Sequence, residues 1–150
     1  MSSHPLVLVG TAGTGLVAGI FLAFATAVMP GLARGDDRTF VAAMQQVNLA
    51  IVNPLFVSLF VTPLLVLGTA FFTAPARWWV LAALLLYVAT VLLTGAGNIP
   101  LNDALAAAGS SDPSTARAAF EDPWNRLHLV RTVAVLASFG CCLVALVRGA

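Results

Sequence analysis

Apolar residues in this chain fall into four long blocks, from about Pro5 to Met29, Leu49 to Phe72, Trp78 to Gly97 and Leu127 to Val147. Each block can supply the ~20 apolar residues that a helix needs to cross a bilayer. The pattern predicts an all-α integral membrane protein, a four-helix bundle forming one membrane domain over residues 1–150. A short interfacial helix is expected after the first span, and a polar, partly helical connection between spans three and four.

The first block carries small residues at every fourth position, at Thr11, Gly15, Gly19, Ala23 and Ala27. Such a row lets a neighbouring backbone approach closely, which is how helices associate where lipid supplies no hydrophobic drive. The Gly15 and Gly19 pair could also join two copies of the chain, so a homo-oligomer stays open beside packing within one chain. The Ala23 to Ala27 region resembles a signal-peptide cleavage site. The apolar run is longer than a secretory h-region and no Lys or Arg precedes it, so a retained span is expected. Met29-Pro30-Gly31 is expected to end the helix.

Arg34 to Arg38 reads as a solvated loop, and Phe40 to Val47 as the interfacial helix, which could instead run on into the second span as one long helix. Gln45 and Asn48 share a face at i, i+3, while Asn53, just before Pro54, is placed to cap the next turn. Buried amides at membrane depth need partners, so they either tie helices together or line a cavity. Thr62-Pro63 can kink the second span. The short turn Ala74 to Arg77 makes spans two and three antiparallel neighbours, and Trp78 and Trp79 fit an interfacial aromatic belt.

Almost every residue that could do chemistry lies between Asn98 and Arg131. On a helix beginning near Asp122-Pro123, a step of about 100° per residue puts Trp124, His128 and Arg131 on one face. The same stripe continues through Val135, Ser138 and Cys142, as a protein-facing lining would. An arginine turned into a membrane bundle is costly and marks a functional site by default.

Composition agrees with the pattern: 60% of the 150 residues are hydrophobic and 9% charged. Soluble domains average about 25% charged residues. The seven basic residues are all arginine and form no polybasic run, so no nucleic-acid partner is indicated. Both termini fall on one side, and the arginine count puts the long polar connections in the cytoplasm of what is expected to be a bacterial cell membrane. Cys141 and Cys142 are adjacent on one helix and offer neither a disulfide nor metal spacing. His4 stands near the start of the chain, leaving His128 as the one well-placed imidazole, too few for a zinc or non-haem iron site. Nucleotide loops, HExxH and nucleophile elbows are absent from the sequence.

In their order and spacing, several pieces together resemble the anthrone oxygenase-like family of small four-span membrane proteins, which includes fungal noranthrone monooxygenases. These are the Gly-rich first span closing on Phe24 and Met29-Pro30, the run from Met44 to Asn48, Asn53-Pro54 with Phe56, Asn98 to Asn102, and Trp124-Asn125 with Arg131. The resemblance implies oxidation of a polycyclic phenolic anthrone by O2 without a cofactor. On that reading His128 is the base, Arg131 with Asn98 and Asn102 stabilises an enolate or peroxide, Trp124 is the stacking wall, and Asn125 and Asn48 line the pocket. The partners are then a hydrophobic small molecule, O2 and the bilayer. A non-catalytic membrane protein that binds a lipid or quinone-like ligand, or scaffolds a partner complex, is the alternative.

Overall fold

The structure, a computed structural model, describes residues 5–109 and 111–149. His4 lies outside them. Five helices, with no strand among the described residues, make up the chain: α1 (Pro5–Leu32), α2 (Asp37–Ile51), α3 (Pro54–Thr73), α4 (Arg77–Ala108) and α5 (Pro113–Arg148). All but α2 are long and apolar enough to cross a membrane.

The long helices alternate in direction and close a ring in which α1 touches α3 and α5, and α4 touches the same two. Glycines set the closest approaches. A Cβ on Gly10 would stand 2.7 Å from Leu67 Cδ2, one on Gly13 2.8 Å from Pro63 Cγ, and one on Gly15 2.9 Å from Phe139 Cε2. Gly19, which shares the expected row, has nothing within 4 Å of such a Cβ, so the close packing of α1 within the chain follows Gly10, Gly13 and Gly15 instead. Threonine hydroxyls on the long helices donate to the preceding turn, as in Thr11 to the Val7 carbonyl at 2.7 Å and Thr62 to the Ser58 carbonyl at 2.7 Å. This keeps polar groups from facing hydrocarbon unpaired.

Helix ends depart from several expectations. The helix does not stop at Met29-Pro30-Gly31: α1 widens into a π-turn at Phe24–Val28 and continues to Leu32. The third long helix likewise passes its expected end at Gly97 through a π-turn at Thr94–Asn98 and reaches Ala108. Both π-turns end two residues before a proline, Pro30 or Pro100. A proline ring collides with the carbonyl four residues back. Widening the turn to i→i−5, with Met29 N donating to the Phe24 carbonyl and Ile99 N to the Thr94 carbonyl, lets the helix go on.

Nor does the last helix begin at Asp122-Pro123. Its cap is Asp112, whose carboxylate accepts from Thr115 N at 3.2 Å with Pro113 in the first turn, and Pro123 is held inside the helix. Gly109, at φ 62°, breaks the chain between α4 and α5. The interfacial helix is longer than Phe40 to Val47. Asp36 caps it by accepting from Thr39 N at 2.8 Å, and it ends at Ile51. The second long helix therefore starts at Pro54 rather than Leu49, where Asn53 accepts from Phe56 N at 3.0 Å as its spacing foretold.

At 32 and 36 residues, α4 and α5 are longer than a bilayer core of ~30 Å requires at ~1.5 Å per residue. Their excess forms a helical hairpin, and α2 packs on it through Phe40, Val41 and Met44 against Leu105, Ala116, Phe120 and Trp124. Arg117 fastens this cap. Its guanidinium pairs with Asp37 at 3.0 Å and Glu121 at 2.6 Å, donates to the Gly35 and Ala33 carbonyls, and lies over the Phe40 ring. The loop expected to be merely solvated is thus tied to α5.

Candidate functional site

Just below that cap the four long helices line a partly open cavity of about 250 Å³, covered on one side by the end of α2. This is somewhat under the ~300–1,000 Å³ usual for small-molecule pockets, which suits one compact, rigid ligand. The walls are mostly aliphatic and aromatic. Its polar groups are few: Asn48 from α2, Thr94, Asn98 and Asn102 from α4, and His128 and Arg131 from α5. The break at Val52-Asn53 and the two π-turns all border it.

Arg131 is the dominant charge, at 7% exposure. Its Nε and Nη2 donate to His128 Nδ1 at 3.1 and 3.0 Å, and its Nη1 donates to Thr94 Oγ1 at 3.1 Å. Thr94 passes its own hydrogen to the Thr90 carbonyl. The guanidinium lies over the Phe21 ring at 4.4 Å and the Trp124 ring at 5.4 Å. A guanidinium has five N–H donors. Three are engaged, so two remain for a ligand. Both ion pairs found among the described residues belong to Arg117, and none reaches Arg131. A buried cation carries a desolvation cost of several kcal/mol, and here hydrogen bonds and aromatic faces, not a carboxylate, are set against it.

The partners of His128 fix its tautomer. A carbonyl can only accept and a guanidinium can only donate, so Nε2 carries the proton, donating to the Phe21 carbonyl at 2.9 Å, and Nδ1 is the acceptor. Both ring nitrogens are therefore engaged, and the lone pair that a base would use is held by Arg131. Trp124 stacks on the imidazole with centroids 4.7 Å apart and an interplanar angle of 17°, and its Nε1 donates to Asn102 Oδ1 at 2.9 Å.

Asn98 is 1% exposed. Its Nδ2 donates to the Trp124 carbonyl at 3.3 Å, which fixes the amide's orientation, and its Oδ1 has no partner. Asn48 Nδ2 is likewise buried and unpartnered. Buried polar atoms are nearly always paired, so two orphans on one cavity are notable.

Six of the seven residues singled out in the sequence thus converge on one cavity: Asn48, Asn98, Asn102, Trp124, His128 and Arg131. Asn125 does not. It sits beside Glu121 in a separate hollow behind His128, against Ala25 and Met29 of α1. Two participants escaped the sequence reading. Thr94 stands four residues before Asn98, as Asn98 does before Asn102, so the i, i+4 series was there to be seen. Phe21 contributes a ring and a backbone carbonyl, which no pattern among apolar residues reveals.

Among the described residues no group of three or more His, Cys, Asp or Glu is placed to hold a metal ion. Comparison with curated proteins and with solved structures gave no match. The family profile of anthrone oxygenase, in contrast, matches residues 3–141. With nearly the whole length matched, this chain belongs to the anthrone oxygenase family.

Proposed function

We propose that the protein is an anthrone-type oxygenase that oxidises a flat polycyclic phenolic substrate with O2 in the cavity beneath the α2 cap. The observation that carries this reading is Arg131, a buried cation with no carboxylate and two free N–H donors beside an apolar, aromatic-walled space. An anion formed there would be attracted strongly, because low-polarity surroundings screen charge poorly.

Loss of a proton from the anthrone methylene gives a carbanion delocalised onto the ring oxygen. As the guanidinium of Arg131 turns toward the substrate's carbonyl oxygen, His128 Nδ1 is released and accepts the methylene proton while the negative charge builds on that oxygen, so stabilising the anion and uncovering the base are one motion. The electron-rich carbon then reduces O2, a C–O bond forms, and the peroxide is protonated. Loss of the remaining hydrogen on that carbon with cleavage of the O–O bond leaves the ketone and one molecule of water. Trp124, stacked on His128, supplies a flat wall for the rings. Asn102 steadies Trp124.

The test is O2 uptake driven by a hydroxyanthrone, with purified protein in lipid nanodiscs and anthraquinone formation followed by absorbance. Arg131→Ala should lower the rate by about 10²–10³-fold, the loss typical of removing an oxyanion-stabilising donor. A parental rate in that variant, or no anthrone-dependent uptake by the parent, would overturn the proposal. Recovery of an acyl chain from the cavity would turn attention to a lipid binder.

A further inference from the structure

Within the cavity the polar groups are not equivalent, and their spacing along α4 says what each can meet. Thr94 fixes the inner edge of Arg131, and Asn98 follows one turn later, toward the α2 cap. Side chains so related stand ~5–6 Å apart. One of the two Nδ2 hydrogens of Asn98 goes to the Trp124 carbonyl, which leaves Oδ1 as the amide's wholly unpartnered atom. What it offers the cavity is a bare acceptor, Oδ1, in a residue 1% exposed. Asn48, which lines the same cavity from α2, has a donor, Nδ2, with no partner. A hydroxyl group, which both donates and accepts, is the one ligand group with the chemistry to match both orphans.

Resting on the reading of Arg131 as the anion site, we propose that Asn98, with Asn48, is a specificity determinant that reads a ring hydroxyl ~5–6 Å from the ligand's anionic oxygen. The ligand then lies with its anionic end deep, at Arg131 and Thr94, and its hydroxylated end under α2. Asn98 selects which phenol fits, and in which direction.

A binding measurement separates this from catalysis. Three unreactive flat anions, 2-naphthoate, 4-hydroxy-2-naphthoate and 4-methoxy-2-naphthoate, are titrated calorimetrically into the full chain in nanodiscs. The parent should bind the hydroxy compound about three- to tenfold more tightly than 2-naphthoate, as one net hydrogen bond gives. The methoxy compound, which cannot donate, should lose that advantage. Asn98→Leu should level the series while still binding 2-naphthoate, and Asn98→Ser, too short to reach, should do the same if the leucine variant fails to fold. Equal binding of all three by the parent, or a hydroxyl preference that survives both variants, overturns the assignment of Asn98 while Arg131-dependent binding stands. Absence of naphthoate binding by the parent, or full binding by Arg131→Met, overturns the anion site and the assignment together.

Discussion

Arg131 and His128 stand three residues apart on α5, and two N–H groups of the guanidinium, Nε and Nη2, converge on the single lone pair of Nδ1. A lone pair shared between two donors bonds neither at full strength. The pair is therefore held, but held in a way that a competing oxyanion can undo.

Substitutions at His128 separate holding from proton transfer. His128→Gln retains an acceptor for Arg131 but is no base. It should bind 2-naphthoate within about twofold of the parent while kcat for anthrone oxidation falls by about 10²–10⁴-fold, the range for general-base removal. His128→Phe should lose both. If the glutamine variant turned over at the parental rate, His128 would be a positioning residue alone.

Pro100 should matter to the site more than to the fold. With Pro100→Ala, α4 can close its π-turn into regular helix, and Thr94 and Asn98 lose their present phase. A proline inside a helix costs ~3 kcal/mol or more, so the melting temperature should hold or rise. Naphthoate affinity should fall by about tenfold, or ~1.4 kcal/mol. Unchanged affinity would show that the wide turn does not place these side chains.

The glycines of α1 make a matched pair. Gly13→Ala drives a methyl group against the rigid Pro63 ring, where a Cβ would meet Cγ at 2.8 Å. Overpacking of that kind costs about 1–3 kcal/mol. Gly19→Ala meets nothing within 4 Å, and should be neutral or stabilising by up to about 1 kcal/mol through reduced backbone freedom. Thermal unfolding in nanodiscs reads both.

The cap of α2 should respond to acid. Hydrogen bonds from Thr39 hold the Asp36 carboxyl below its ordinary value of 3.8. A group lowered on folding contributes stability that is complete above its unfolded value and lost as pH falls through its folded one. Acid below about pH 3.8 should therefore fray the start of α2. Asp36→Asn keeps an oxygen for Thr39 N and should remove that dependence, measured as amide exchange at Thr39 and Phe40.

Much of this was written in the chain. Apolar runs announced four long helices, Asn53-Pro54 marked a cap, and the spacing of Trp124, His128 and Arg131 put them on one face. Helix ends were legible only in part. Pro30, Pro100 and Pro123 each carry the mark of a breaker, yet each lies inside a helix, because neighbouring helices and wider turns absorb what a lone helix could not. Asn125 was misplaced because adjacency in sequence is a 100° turn on a helix. Hydrogen-bond polarity was out of reach: that the Asn98 amide nitrogen has a partner and its oxygen none depends on where the Trp124 carbonyl falls, on the neighbouring helix.

The rim of the cavity includes Val52, Val57 and Ile99, three exposed aliphatic side chains where α3 and α4 meet the end of α2. Apolar side chains of that kind favour hydrocarbon over water. A ligand entering between them would come from the surrounding leaflet, so on the proposed reading a flat, sparingly soluble phenol scarce in the aqueous phase would still be abundant there. Apparent Michaelis constants, expressed per litre of suspension, should then climb with the amount of lipid added and become constant once restated as mole fraction in the membrane.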